Sequence, residues 1–300
     1  MTPDWIAVDW GTSNLRVWAM GPAGVLDHAS SDEGMGKLSR DGFEPALLRL
    51  IGPWLSDGAT PVIACGMVGS RQGWAEAPYR AVPCTPVAPG ALLRVLTADP
   101  RIAVQIAPGL SQANPADVMR GEETQIAGAL ALLPNFDGVL CLPGTHSKWA
   151  HISAGEVVSF QTFMTGELFA LLSNQSVLRH GMAGDGWDEV AFLQGFDDAY
   201  ARPEKISARL FSLRAEGLLA GLSADAARSR LSGLMIGIEL AAAKPYWLGQ
   251  RVVLIGADRL CDNYTRALAQ LGLTAQRLDA TACTLSGLAT ARGALKKALP

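Results

Sequence analysis

The sequence predicts an α/β protein built from two similar halves. Three observations point that way. Short apolar, strand-like runs alternate with helix-like runs along the whole chain. A turn of glycine and hydroxyl residues lies between two apolar strands near the N-terminus: Gly11-Thr12-Ser13 in "DWGTSNLRVW". A turn of the same make, Gly144-Thr145-His146-Ser147 in "LPGTHSKWAHI", answers it 133 positions later. A repeat on that span suggests two related halves. Finally, 300 residues at 49% hydrophobic are enough for roughly two domains with sizeable cores.

The elements follow in order. Residues 5–10 and 15–20 read as strands around the first turn. "GFEPALLRLIGPWL" (42–55) reads as a helix, with Leu47, Leu48, Leu50 and Ile51 on one side. "PVIACGMV" (61–68) is a short buried strand running into a glycine-rich loop. "PGALLRVLTA" (89–98) reads as a short helix and "IAVQIAPG" (102–109) as a strand. "DVMRGEETQIAGALALLP" (117–134) is the clearest helix, with Met119, Ile126, Leu130 and Leu133 at helical spacing. "GVLCLPGTHSKWAHI" (138–152) is strand, turn, strand. "TGELFALLSNQSVL" (165–178) is a helix with Thr165 as N-cap and Glu167 in its first turn. Residues 184–204 read as loop, and 215–244 as helix-rich. "RVVLIGADRLCDNYTRALAQLG" (251–272) is a strand, a glycine turn and a helix ending at Gly272. "TACTLSGLATARGAL" (281–295) is a last helix. No low-complexity linker separates the halves, so the border falls within packed elements, in the helix at 117–134.

Charge and cysteine usage narrow the function. Net charge is −3 and no block of Lys or Arg stands out, which argues against a nucleic-acid or anionic-membrane partner. No secretion signal opens the chain, and no apolar run approaches the ~18 residues that span a bilayer. The cysteines are five in number and none are spaced as CxxC, so the expected home is the reducing cytoplasm. The histidines form no zinc pattern.

The two turns suit phosphate. Glycine lets backbone N–H groups converge on an anion, and hydroxyls add donors. Asp9, at the end of the first strand, is placed to hold Mg²⁺, which prefers oxygen ligands and keeps several waters. Read alone, either turn is better taken as an ordinary hairpin, since Gly, Ser, Thr and Asn are common turn residues; the pair together points to phosphate. The other phosphate signatures are absent: Gly36-Lys37 is followed by Leu38, and no GxGxxG follows a strand.

Glu122 falls near the apolar stripe of helix 117–134 and Glu123 on its other margin. An acidic side chain there is costly unless paired or used. One reading is a general base at the mouth of a cleft. The other is a helix edge whose glutamates pair with Arg120 or face water. The stripe favours Glu122 slightly and leaves both open.

For a ligand that carries a carboxylate, Arg71 in the "GSRQGW" loop suits bidentate recognition. Gln72 suits hydroxyls, and Trp74 offers a flat face. The alternative is a surface loop with Arg71 in water and Trp74 capping a core. Arg16 is a second anion candidate, and Lys37 and Lys148 are weaker ones.

The order of these parts resembles the superfamily of sugar kinases, acetate kinase, actin and the heat-shock chaperone ATPases. More narrowly, "VDWGTSNLRVW", "GMVGSRQGW", "IAPGLSQ", "MRGEETQIAGAL", "LPGTHSKW" and "FMTGELFALL" resemble the 2-dehydro-3-deoxygalactonokinase family, over roughly residues 5 to 290. The resemblance implies an actin-like ATPase fold: two ribonuclease-H-like α/β domains around a central cleft. It implies an N-terminal sugar-acid and phosphate domain of residues 1–120 plus 284–300, and a nucleotide-binding domain of residues 121–283. It implies transfer of the γ-phosphoryl of ATP, with Mg²⁺, to the 6-hydroxyl of 2-dehydro-3-deoxy-D-galactonate. Carried over by position, Asp9 serves the metal and phosphate. Gly11, Thr12 and Ser13 form the first phosphate turn, and Gly144, Thr145, His146 and Ser147 the second. Gly256 and Ala257 lie beside adenosine, where the superfamily has two glycines. Gly121-Glu122-Glu123 carries the catalytic carboxylate. Two other readings stand beside the kinase: a polyphosphate-type phosphatase, and a nucleotide-dependent switch of the chaperone ATPase class. Oligomeric state leaves no mark in the sequence.

Overall fold

The computed structural model describes residues 2–88 and 90–298. Its contacts divide the chain into two compact units. The first comprises Met1–Asp137, Ile152–Ser159 and Asp279–Pro300, and the second Gly138–His151 and Phe160–Leu278.

The first unit begins with three strands, β1 (Trp5–Trp10), β2 (Leu15–Gly21) and β3 (Gly24–Ser31), followed by helix α1 (Phe43–Ile51) and strand β4 (Thr60–Gly66). The short strands β5 (Arg80–Ala81) and β6 (Leu93–Arg94) precede β7 (Ile102–Ile106), β8 (Leu110–Gln112) and β9 (Asp117–Met119). Helix α2 (Glu122–Leu132) comes next. The main sheet runs β3-β2-β1-β4-β7-β6. β1 pairs antiparallel with β2 and parallel with β4, and β4 pairs parallel with β7. This is the mixed order expected of a ribonuclease-H-like domain. Alternation in β1 explains its two buried faces. Ile6, Val8 and Trp10 meet Phe43, Leu47 and Ile51 of α1, while Trp5 and Ala7 join a second cluster with Leu288 and Ala291.

The second unit is built on β10 (Gly138–Leu142), β11 (Ser147–Ser153) and β12 (Glu156–Phe163), the last two of which reach into residues of the first unit. Helices α3 (Thr165–Asn174), α4 (Glu189–Ala201), α5 (Ile206–Leu219), α6 (Ala224–Ala242) and α7 (Lys244–Trp247) follow. Strand β13 (Val252–Gly256), helix α8 (Asp258–Gln270) and strand β14 (Gln276–Asp279) lead to the last helix, α9 (Ala280–Ala298), which returns to the first unit. The sheet order β12-β11-β10-β13-β14 repeats the pattern of the first, with β10 parallel to β13. Helices α4 and α6 pack backbone to backbone: a Cβ on Gly233 would sit 2.0 Å from the Phe192 carbonyl oxygen. Among the described residues, no helix is long and apolar enough to cross a membrane.

Several local expectations are corrected. The stretch 89–98 is not a helix. Residue 89 lies outside the described residues, and Leu93–Arg94 pairs with β7 while the Val95 N–H donates to the Val104 carbonyl at 3.0 Å. Residues 117–119 form strand β9 rather than the first helical turn. The chain breaks at Gly121, whose φ of 107° suits glycine, and the helix starts at Glu122. The 184–204 stretch contains α4, capped by the Asp188 carboxylate, which accepts the Ala191 N–H at 2.9 Å. Thr165 is the first residue of α3, not its N-cap, and its hydroxyl bonds Glu239 instead. The sequence reading starts the second domain at residue 121. The packing of α2 on α9 keeps that helix in the first unit, since Gly128 and Gly287 bring the two backbones together: a Cβ on either would meet a carbonyl oxygen at 1.8 Å.

Candidate active site

In the first unit, the turn between β1 and β2 closes with the Gly11 N–H donating to the Asn14 carbonyl at 2.9 Å. Thr12, Ser13 and Asn14 are exposed. A segment the sequence reading passed over braces the turn from behind. The Met35 N–H donates to the Gly11 carbonyl at 3.0 Å and the Gly36 N–H to the Thr12 carbonyl at 2.9 Å. A Cβ on Gly34 would lie 2.3 Å from the Thr12 oxygen, so glycine is required there by close approach. The Gly34/Gly36 pair was the available signal.

Asp9 sits at the end of β1, paired with Arg16 opposite it on β2. Arg16 is therefore engaged by Asp9, and its guanidinium also lies 5.7 Å over the Trp18 ring. The other Asp9 oxygen, Oδ1, has Cys65 Sγ at 4.0 Å and lies 3.4 Å from where a Gly66 Cβ would be. A Cβ on Gly121 would in turn be 3.3 Å from the Gly66 Cα. The end of β1, the end of β4 and the start of α2 thus converge.

The two glutamates diverge at that point. Glu123, not Glu122, turns inward: it is fully buried, accepting the Gly121 N–H at 2.6 Å and the Thr124 hydroxyl at 3.0 Å. Burial, with the neighbouring Glu122 charge second, pushes its carboxyl up to about 8. Glu122 is half-buried and accepts the Arg120 backbone N–H at 3.0 Å. The stripe set Glu122 nearer the apolar side, but two of its four members, Met119 and Leu133, lie outside the helix, and the buried glutamate is Glu123. The Arg120 guanidinium goes neither to Glu122 nor to Glu123: its Nη2 donates to the Ala77 carbonyl at 2.8 Å and its plane lies 4.3 Å from the Tyr79 ring centroid.

The "GSRQGW" loop splits likewise. Arg71 and Gln72 are exposed, and Arg71 makes a long ion pair to Glu76 at 3.5 Å. Trp74 is largely buried, though it reaches the wall of a surface cavity with Arg40, Leu48 and Leu93. It is 8% exposed, with its ring stacked on Phe43 and edge-on to Trp10. Lys37 pairs with Asp32 at 2.7 Å, and Lys148 is buried.

In the second unit, Gly144, Thr145 and His146 form the turn after β10. Thr145 and His146 are exposed. The start of α3 holds the turn. The Glu167 N–H donates to the Thr145 carbonyl at 2.9 Å, and the Glu167 carboxylate meets His146 Nε2 at 2.6 Å. Ser147 departs from expectation, being buried with its hydroxyl 2.9 Å from the Tyr264 hydroxyl. Gly256 lies beside the same turn, since a Cβ there would be 3.0 Å from the Pro143 carbonyl oxygen. A cavity of about 320 Å³ opens next to them, lined by Gly144, Thr165, Trp187, Arg228, Ala257 and Asn263 among others. Trp187, Arg228 and Asn263 were not singled out from sequence, because a mostly apolar pocket wall carries no motif.

This geometry can be set beside known proteins. The chain matches the 2-keto-3-deoxy-galactonokinase family over residues 9–291. The chain belongs to that family. A protein of Rhizobium meliloti (strain 1021) named as a probable 2-dehydro-3-deoxygalactonokinase is 40% identical over 299 residues, covering 96% of each chain. The 2-dehydro-3-deoxygalactonokinase of Escherichia coli (strain K12) is 35% identical over 275 residues, covering 91% of each. A crystal structure of a Sinorhizobium meliloti protein assigned to the same activity superposes with a TM-score of 0.90 at 38% identity, covering 97% of this chain and 98% of that one. Family membership makes the chain an ATP-dependent sugar kinase, with ATP and Mg²⁺ as its expected nucleotide and metal.

Proposed function

We propose that the protein transfers the γ-phosphoryl of ATP to the 6-hydroxyl of 2-dehydro-3-deoxy-D-galactonate. The observation that carries this is the family match over nearly the whole chain, joined to a turn-and-carboxylate cluster in one unit and a turn-and-cavity cluster in the other. The cavity beside Gly144 and Ala257 suits adenosine. It is of nucleoside size and mainly apolar in character, with Asn263, Ser229 and Arg228 as polar groups.

The residues fit a magnesium ion. Asp9 offers Oδ1, which the Cys65 sulfur approaches at 4.0 Å, and Thr12 and Ser13 are exposed on the turn that follows its strand. One carboxylate with phosphate oxygens and waters is the usual donor set for Mg²⁺. Bound there, the ion would neutralise charge developing on the transferring phosphoryl group. Gly11 to Ser13 and Gly144 to His146 bind phosphate oxygens. Arg71 and Gln72, free of the core, bind the carboxylate and hydroxyls of the sugar acid. Glu122 orients the acceptor hydroxyl and takes its proton, because a base must reach the substrate and Glu123 is sealed off. Use of ATP on a small sugar acid, with no cysteine pair spaced as CxxC, supports a cytoplasmic location.

The test is a coupled ADP assay over a panel of 2-keto-3-deoxy acids. ADP formation only in the presence of the galactonate-derived acid supports the proposal. Phosphate release from ATP or polyphosphate with no sugar acid present would favour the phosphatase or the switch instead.

A further inference from the structure

Glu239, on α6, is 1% exposed and belongs to none of the site residues above. Its carboxylate gathers donors from three other elements. The Trp149 indole N–H of β11 donates to Oε1 at 2.7 Å. The Tyr264 hydroxyl of α8 donates to Oε2 at 2.6 Å, and the Thr165 hydroxyl at the start of α3 donates to the same oxygen. With its proton given to Glu239, the Tyr264 oxygen is left to accept from Ser147 at 2.9 Å. A buried carboxylate is costly unless hydrogen bonds satisfy it, and here three do.

These partners are not scattered. Ser147 and Trp149 follow the Gly144–His146 turn on β11. Thr165 begins the helix whose next residue, Gly166, lies so close to the turn that a Cβ would meet the Gly144 carbonyl oxygen at 2.3 Å. Thr165 and Tyr264 both line the 320 Å³ cavity. One buried carboxylate therefore ties both sides of the turn and two walls of the cavity to a single point.

We propose that Glu239 is a positioning residue for nucleotide binding, holding the second phosphate turn and the cavity wall in one register through Trp149, Thr165 and Tyr264. It touches no ligand itself. Removing its charge frees the three donors to choose other partners, and the turn loses its fixed relation to the cavity. The inference rests on the cavity being the nucleotide site.

The test measures equilibrium binding of a non-hydrolysable ATP analogue with Mg²⁺, without sugar acid, alongside melting temperature. Wild-type binding of the analogue checks the nucleotide site independently of which sugar is phosphorylated. Glu239→Gln keeps the shape but turns an amide NH₂ toward donors. It should raise the Kd about 10-fold or more, and raise the KM for ATP while leaving the KM for the sugar acid within 2-fold. Leu240→Ala, a buried neighbour on the same helix outside the network, reports simple destabilisation. It should lower the melting temperature with Kd within 2-fold of wild type. If Glu239→Gln does not fold, Trp149→Phe removes one donor outside the cavity and should raise Kd several-fold. Unchanged Kd in Glu239→Gln, or in Trp149→Phe where that variant decides, overturns the proposal. So does an equal rise in Leu240→Ala.

Discussion

Glu122 and Glu123 are adjacent in sequence and opposite in environment. The half-buried Glu122 should behave as a general base. Glu122→Gln is expected to lower kcat by about 10²–10⁴-fold with little change in the KM for ATP. Glu123→Gln should cost much less at pH 7, where a carboxyl held at about 8 is already mostly protonated. Steady-state kinetics on both variants decide the matter; a dead Glu123→Gln beside an active Glu122→Gln reverses the assignment. Glu123 also makes stability depend on pH. Its carboxyl lies near 4.5 when unfolded and about 8 when folded, so the folded state holds the extra proton between those values. Stability should therefore fall as pH rises from about 4.5 to about 8. Glu123→Gln should flatten that fall in melting temperature measured from pH 5 to 9. A wild-type slope that survives the substitution unchanged would exclude this origin. Asp9→Asn should cut kcat severely and shift the Mg²⁺ titration upward, because the amide replaces an anionic ligand. Full turnover of that variant at saturating Mg²⁺ would remove Asp9 from the metal site.

Among the elements, α2 shows how a helix can be oriented by what it lacks. Its buried side is Thr124, Ala127 and Gly128, not a row of leucines, and α9 meets it through Gly287 and Cys283. Small side chains allow near contact of the two backbones. Gly128→Ala would force a Cβ to within 1.8 Å of the Cys283 carbonyl oxygen. The expected cost is at least about 1–3 kcal/mol, the usual range for overpacking. Urea denaturation should show a lower midpoint for this variant, and an unchanged midpoint would mean that the helices separate freely. The equivalent substitution at the open Gly293, with nothing near its Cβ position, serves as the control.

Across the molecule, the candidate sugar-acid residues and the cavity belong to different units. Arg71, Gln72 and Glu122 lie in the first, and the cavity residues Trp187, Arg228 and Asn263 in the second. Binding effects should separate accordingly. Arg71→Met is expected to raise the KM for the sugar acid about 10-fold or more, the scale of losing a charge-assisted carboxylate contact, with the KM for ATP unchanged. Asn263→Ala should do the reverse. Equal effects of either variant on both substrates would argue against this division of labour.

What could be read along the chain was what depends on near neighbours. The hairpin around Gly11, the one around Gly144 and the strand–turn–helix at 252–270 were all legible, because apolar alternation and turn-forming residues act within a few positions. So was the repeat of the two turns, with Thr12, Ser13 and Thr145 on them, and it pointed to two similar halves. Strand β6 was misread as helix because two residues of edge pairing with β7 outweigh local propensity. Ser147 was placed at the site by motif and is buried against Tyr264, while Trp74, read either as a flat binding face or as the cap of a core, stacks on Phe43; both partners are distant in the chain. Glu239 carries no motif at all. Its surroundings come from β11, α3 and α8, which the chain brings together only when folded, and a buried carboxylate takes its role from the donors that surround it. The different burial of Glu122 and Glu123 likewise appears only in the fold: α2 begins just after Gly121, and it packs on α9 through glycine contacts that leave almost no apolar periodicity to read.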